Sequence, residues 1–171
     1  MKKLVIGADS AGYELKEAVK KYLDEMQISY DDLGALSADD GKEYYYTAAE
    51  AAQGIQKGEY EKGLLFCGTG MGMSIIANKH KGIYASCVES VYAAGKCRAI
   101  NNANVLCMGG FIVGSDMGIN MVKAFLNTEF VEGMEHIGDF LKQAYQDIHE
   151  MEESFSKKTG QMTDPAKDSY L

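Results

Sequence analysis

The chain alternates short apolar runs with longer stretches in which apolar residues recur at helical spacing. The apolar runs predict five strands, at 4–8, 28–33, 64–66, 82–87 and 105–108. The periodic stretches predict helices after Gly12 and after Gly72, and at 44–55, 88–100, 116–126 and 133–154. In the first helix one face is apolar, formed by Leu15, Val19, Tyr22, Leu23 and Met26. In the second, Ala48, Ala51 and Ala52 allow close packing.

This alternation predicts an α/β fold, with parallel βαβ units in a doubly wound, five-stranded sheet covered by helices on both faces and followed by a long C-terminal helix. We expect one domain over 1–150. The remaining residues, 151–171, are polar and contain the sole proline, Pro165. We interpret them as a mobile tail.

The strand at 64–66 runs into Cys67 and three alternating glycines, Gly68, Gly70 and Gly72, before helical periodicity resumes. Backbone amides at the start of a helix have no intrahelical partner, and together with the helix dipole they attract anions. Glycines leave room for a ligand to approach the backbone. A thiol beside such a loop suits removal of a carbon-bound proton, with the developing oxyanion held by N–H groups.

Simpler interpretations of the same stretch remain open. Cysteine often behaves as a small buried hydrophobe, so Cys67 is either the reactive group or a structural thiol. The glycines are either a ligand-binding loop or only a tight connection.

Composition limits the classes of function. The 171 residues carry a net charge of -8, which argues against nucleic acids and anionic membranes as partners. None of the four cysteines matches a zinc-binding spacing, and three lie in or beside apolar runs, which favours reduced thiols in a cytoplasmic protein. The apolar run after Met1 is too short for a signal peptide, and no run is long enough to span a membrane.

Other polar residues each have two interpretations. Asp9 and Ser10 follow the first strand, either as helix caps or as substrate contacts. Asn101, Asn102 and Asn104 precede the fifth strand, so they lie at the opposite edge from Cys67 unless they reach a neighbouring subunit. They suit turns as well as sugar hydroxyls. In the run 44–46 one tyrosine lines a pocket, or all three pack at the surface, while the three histidines are interpreted as surface residues.

Three segments together resemble the ribose-5-phosphate isomerase B family, which also includes the galactose-6-phosphate isomerase subunits LacA and LacB. The segments are Gly7-Ala8-Asp9-Ser10-Ala11-Gly12, the loop from Cys67 to Ser74 with Ala77-Asn78-Lys79, and Asn101-Asn102-Ala103-Asn104-Val105. The resemblance extends from residue 1 to about 140.

The resemblance implies a Rossmann-like fold and a homodimer or tetramer whose active sites are shared between subunits. It implies aldose–ketose isomerisation of a sugar or sugar phosphate through a cis-enediolate, without a metal or cofactor. The implied base is Cys67, which moves a proton between C1 and C2. The implied anion hole consists of Gly68, Gly70, Met71, Gly72 and Ser74. The other implied contacts are Asp9 and Thr69 near ring opening, Ser10 and Tyr44, and Asn101 of the partner subunit.

The chain also departs from the family. Members usually carry Asp-His and His-Asn-Asp where this chain has Asp9-Ser10 and Ile100-Asn101-Asn102, and that second histidine is assigned to ring opening. Their phosphate-binding arginines are replaced by Phe111, Glu135 and Asp139. Arginine is suited to bidentate phosphate recognition, so we expect weak activity on ribose 5-phosphate. The substrate is then another phosphate, held by lysines or His136, or an unphosphorylated sugar.

Two further hypotheses remain open. The chain is a subunit of a hetero-oligomeric isomerase and lacks activity alone, or it is a small-molecule binding module.

Overall fold

The computed structural model describes residues 3–159, with side chains described up to residue 155. Its strands are β1 (Leu4–Ala8), β2 (Tyr30–Asp32), β3 (Gly63–Cys67), β4 (Ala85–Cys87) and β5 (Val105–Gly109). They form one parallel sheet in the order β2-β1-β3-β5-β4. The chain reverses its direction of travel across the sheet between β1 and β3, and such a switch point opens a crevice at the carboxyl ends of the strands.

Helices follow the strands in turn. They are α1 (Tyr13–Glu25), α2 (Tyr44–Gln56), α3 (Met71–Ala77), α4 (Val91–Asn101), α5 (Ser115–Asn127) and α6 (Gly138–Thr159), with a 3-10 turn over Glu135–Ile137. The alternation of strands and helices therefore confirms the predicted α/β, doubly wound architecture.

Two apolar clusters lie on opposite faces of the sheet and make the fold three-layered. On one face α1, α4 and α5 cover side chains such as Ile6, Phe66 and Met108. On the other face, α2 and α3 cover the side chains next to these along the strands, among them Leu65 and Cys107. Ala48, Ala51 and Ala52 of α2 are fully or almost fully buried, which confirms the close packing expected of them.

The structure corrects several boundaries. Met26 is 58% exposed and caps α1 instead of packing with its apolar face. β4 is shorter than predicted, because Gly82 and Tyr84 are held in a turn by the side chain of Asn104. α6 begins at Gly138 and continues past Met151, where we predicted that a tail begins, to Thr159. The rest of the predicted tail, 160–171, lies outside the described residues.

α6 is attached to the amino edge of the sheet by polar contacts. Both carboxylate oxygens of Glu152 accept the Gly82 N–H, at 2.9 and 3.0 Å, and Tyr84 Oη lies 2.9 Å from His149 Nδ1. Within residues 3–159, no helix combines the length and apolar character needed to cross a bilayer.

A fully buried cation ties α1 to the loop that follows β2. Lys16 Nζ lies 2.6 Å from Asp32 Oδ2 and donates to the Ala35 carbonyl at 2.6 Å, and Lys20 also reaches Asp32, at 3.0 Å. Burial alone would raise the pKa of Asp32, but hydrogen bonds from Lys16, Lys20 and the Gly34 amide hold that pKa below its usual value.

We expect the Lys16→Met substitution to lower the free energy of unfolding by about 3 kcal/mol at pH 7, because it leaves a buried carboxylate short of its partner. An ionised Asp32 stabilises the fold above the unfolded pKa of about 4, and this contribution is lost as the pH falls through the lower folded pKa. The difference between wild type and variant should therefore shrink in acid. Urea unfolding at several pH values measures it, with the exposed Lys21→Met as control. A difference that does not change with pH would contradict this account.

Candidate active site

Cys67 ends β3, between the carboxyl ends of β1 and β5. Ala8 is paired with Phe66, and Cys67 with Gly109, so Asp9 and the residues after Gly109 flank the thiol. This is the carboxyl edge of the sheet at its switch point. The predicted meeting of the first strand's exit with the Cys67 loop is confirmed in space.

The glycine loop is fixed by hydrogen bonds to its neighbours. The Gly70 N–H donates to Cys67 Sγ at 3.0 Å. The carbonyl oxygens of Cys67 and Gly68 accept the N–H groups of Gly110 (2.8 Å) and Phe111 (3.0 Å). The loop therefore holds one amide against the sulfur, the arrangement that a negatively charged sulfur needs.

Two other backbone N–H groups of the loop also have hydrogen-bond partners. The Met71 N–H reaches the Thr69 hydroxyl at 3.4 Å, while the Ser74 N–H already donates to the Gly70 carbonyl at 3.2 Å. Ser74 can therefore contribute its hydroxyl but not its amide to an anion hole.

The Cys67 side chain is more enclosed than a thiol at the mouth of a crevice. It is 5% exposed and belongs to the apolar cluster beneath α2 and α3. The sulfur lies at the floor of the loop and has little contact with water. A reacting carbon must enter the loop to reach it.

Gly70 has no room for a side chain and adopts a left-handed backbone conformation, with φ of 78°. A Cβ there would lie 2.8 Å from the Met108 carbonyl carbon and 3.0 Å from Cys87 Sγ. Because the same residue supplies the amide that faces Cys67, its conformation sets the geometry of the loop.

We expect the Gly70→Ala substitution to lower stability by about 1–2 kcal/mol from the backbone conformation alone, and further through the overlap with Met108. Activity should fall sharply, because the amide moves away from the sulfur. The matched control is Gly58→Ala, which has a φ of 75° but no atom within 4 Å of the added Cβ. Thermal unfolding and turnover measure both variants, and equal losses in the two would show that the loop geometry does not matter.

The structure brings three further predicted residues to this crevice. Asp9 Oδ1 accepts the Gly12 N–H at 2.9 Å, so one oxygen closes the turn before α1, and Ser10 beside it is exposed. Among the three neighbouring tyrosines, Tyr44 is the one at the loop, since a Cβ on Gly72 would lie 2.7 Å from its ring. Tyr44 therefore packs directly over the helix start.

Asn101 lies elsewhere in the chain, as expected. It is the exposed last residue of α4, at the opposite edge of the sheet, and it lines a cavity of about 150 Å³ with Ile100, Phe140 and Tyr145. Its neighbours have structural roles. Asn102 caps α4 with a φ of 50° and accepts from Arg98, and Asn104 holds the turn before β4. One chain therefore carries only part of the predicted site.

The sole arginine cannot serve as an anion receptor. Arg98 is 5% exposed, donates to Asn102 and to the Ala103 carbonyl, and lies against the Phe125 ring. Glu135 and Asp139, by contrast, are exposed on the turn into α6. Among residues 3–159 no group of His, Cys, Asp or Glu side chains could hold a metal ion. That the chemistry needs no metal or cofactor stays a prediction.

Two more residues lie at the loop: Cys87, which was missed from the sequence, and Phe111, which was named there only as the replacement of a phosphate-binding arginine. Cys87 Sγ lies 3.5 Å from the Thr69 carbonyl oxygen, and burial, with Cys67 and Glu89 nearby, raises the pKa of this thiol. The Phe111 ring is 78% exposed and covers Gly68, where a Cβ would meet it at 2.7 Å. Cys87 ends β4, and Phe111 follows β5 by two residues. Their places at the ends of strands were the sequence signal that could have indicated a position near the loop.

A thiol at the switch point of a doubly wound sheet, with a glycine-loop amide 3.0 Å from its sulfur, defines the class as an α/β protein with its candidate site at the carboxyl edge of the sheet. The family model described as Ribose/Galactose Isomerase matches residues 4–141, so the chain belongs to this family. The relatives reported below are isomerases, which supports the prediction of aldose–ketose isomerisation.

Individual relatives agree. The chain is 48% identical over 157 residues to 4-deoxy-4-sulfo-D-erythrose isomerase of Clostridium sp. (strain MSTE9), covering 91% of this chain and 99% of the relative. It is 43% identical over 130 residues to D-erythrulose-4-phosphate isomerase 2 of Mycolicibacterium smegmatis, covering 75% and 86%. The structure of Clostridium thermocellum ribose-5-phosphate isomerase B matches with a TM-score of 0.82 at 31% identity, covering 90% and 99% of the two chains.

Proposed function

We propose that the protein converts a four-carbon aldose with a sulfonate at C4, of the type of 4-deoxy-4-sulfo-D-erythrose, into the corresponding ketose, with Cys67 as the base. The observation that carries the proposal is the Gly70 amide 3.0 Å from Cys67 Sγ, inside a glycine loop at the switch point of the sheet.

The reaction needs one base and one oxyanion site. Cys67 takes the proton from C2, and the electron pair left behind forms the C1–C2 double bond while the charge moves to O1. Backbone N–H groups of the loop from Gly68 to Gly72 stabilise that charge. The proton then returns at C1, O2 gives up its proton to O1, and the carbonyl is left at C2. No atom is gained or lost.

The charged residues of the chain favour a singly charged anion as the substrate. A phosphate monoester carries about -1.5 to -2 charges at neutral pH, whereas a sulfonate carries one. The chain has a net charge of -8, its arginine is buried, and Glu135 and Asp139 occupy the positions at which the family resemblance implies phosphate-binding arginines. The relative that acts on a sulfonated tetrose, at 48% identity over nearly its whole length, supports the same choice.

The position of Asn101 supports a site shared between two copies of the chain, and the state of the cysteines supports a cytoplasmic location. Asn101 cannot meet Cys67 of its own chain, so it completes a site only across an interface between subunits. The four cysteines are all free, as expected of a reducing compartment.

We expect mixing of two inactive variants, Cys67→Ser and Asn101→Ala, to restore activity. In a two-fold dimer one heterodimer site then holds both native residues, so about a quarter of wild-type activity should return after subunit exchange. Assay of the mixture against each variant alone measures this. No recovery, with exchange verified by mass spectrometry, would contradict a shared site.

The experiment that tests the activity is turnover of 4-deoxy-4-sulfo-D-erythrose by the purified chain in D₂O, followed by NMR. We expect ketose formation with solvent deuterium at C1, and slower turnover of erythrose 4-phosphate and ribose 5-phosphate. Activity that appears only with a second related chain would indicate a hetero-oligomer. A thermal shift without any turnover would indicate a binding module.

A further inference from the structure

Resting on the proposed function, we infer that this protein acts only on open-chain aldoses and has no machinery for opening a furanose ring. Ring opening transfers a proton from the anomeric hydroxyl to a base and a second proton from an acid to the ring oxygen as the C1–O bond breaks. Near neutral pH, imidazole is the side chain best suited to exchange such protons.

The Cys67 edge offers no imidazole within the described part of the chain. Its polar side chains are the Asp9 carboxylate, the Tyr44 phenol and the hydroxyls of Ser10, Thr69 and Ser74. One Asp9 oxygen is occupied by the Gly12 N–H, and the Thr69 hydroxyl accepts from Met71. His80 lies beyond α3, with its ring 3.1 Å from the Ile76 carbonyl oxygen.

The Asn101 edge is apolar where a proton carrier would have to lie. Ile100 precedes Asn101, and the cavity beside them is lined by Phe140, Leu141 and Ile148, with the Tyr145 phenol but no imidazole. His149 is engaged by Tyr84. His136 is exposed on the turn before α6 and does not line this cavity, so it is the one residue whose role must be tested separately.

The proposed substrate does not need ring opening. A furanose forms when the C4 hydroxyl attacks C1, and a tetrose with a sulfonate at C4 has no oxygen there. Attack by the C3 hydroxyl would give a strained four-membered ring. The absence of an imidazole at either edge, among the described residues, therefore agrees with the acyclic form of the proposed substrate.

The test compares two five-carbon probes that carry the same sulfonate, 5-deoxy-5-sulfo-D-ribose and its 4-deoxy analogue. Only the first can cyclise, because only it has a C4 hydroxyl. With the 4-deoxy probe, ketose formation should rise in proportion to enzyme. With the cyclising probe it should level off at the rate of uncatalysed ring opening, and NMR should show no acceleration of anomer exchange by the protein.

A rate on the cyclising probe that keeps rising past this ceiling, or faster anomer exchange, would overturn the inference. If the His136→Asn variant removes that rise, His136 is the acid that opens the ring. Should neither probe turn over, anomer exchange of the cyclising probe decides alone. Failure of the proposed function is distinguishable, because it appears as no turnover of 4-deoxy-4-sulfo-D-erythrose itself.

Discussion

The Cys67→Ser variant is expected to lose about 10²- to 10⁴-fold in kcat, the range that a positioned general base contributes. A serine hydroxyl fits the same space and can accept the Gly70 N–H, but it is far less ready than a thiol to give up and take back a proton. Solvent-deuterium exchange at C2 of the substrate should vanish with turnover. NMR in D₂O measures both in one experiment.

A second thiol separates this role from general effects on the fold. Cys97 is also buried, but it packs in the cluster on the other face of the sheet and bonds to the Ala94 carbonyl at 3.2 Å. The Cys97→Ser variant should therefore keep its activity. Retained exchange in Cys67→Ser, with normal folding, would remove Cys67 from the mechanism and leave it as a core residue.

The order of elements was predictable because hydrophobic period distinguishes strands from helices locally. The order of strands across the sheet was not predictable, since β4 lies outside β5 although it precedes it in the chain. Boundaries failed where a side chain from elsewhere intervened. Asn104 holds the turn that shortens β4, and no local pattern announces such a contact.

The site was predictable to the extent that it is local in sequence. The glycine loop, its thiol and the exit of β1 follow from residues that stand side by side. The depth of Cys67 was not predictable, because it depends on how α2 and α3 cover the sheet. Cys87 reaches the loop only once three strands are aligned, and the resemblance that placed Phe111 at an arginine position did not show that its ring covers Gly68.

The Phe111→Arg variant is expected to shift preference from sulfonate towards phosphate. The Phe111 ring lies over Gly68, so a guanidinium there would stand beside the loop and supply a fixed charge that this edge lacks. Hydrogen bonds to charged groups are worth about 1.5–3 kcal/mol, or about tenfold to 100-fold in kcat/KM. The ratio of kcat/KM for erythrose 4-phosphate and 4-deoxy-4-sulfo-D-erythrose should rise by this factor.

The neighbouring residue supplies the control for charge alone. Ile112 is 45% exposed. The Ile112→Arg variant therefore adds the same positive charge one position further along the chain. If Ile112→Arg shifts the ratio as much as Phe111→Arg, attraction at long range explains the effect and position 111 does not select the anion. A shift confined to Phe111→Arg would mean that position 111 selects the anion. An aromatic ring there then favours a singly charged sulfonate, and a cation there favours a doubly charged phosphate.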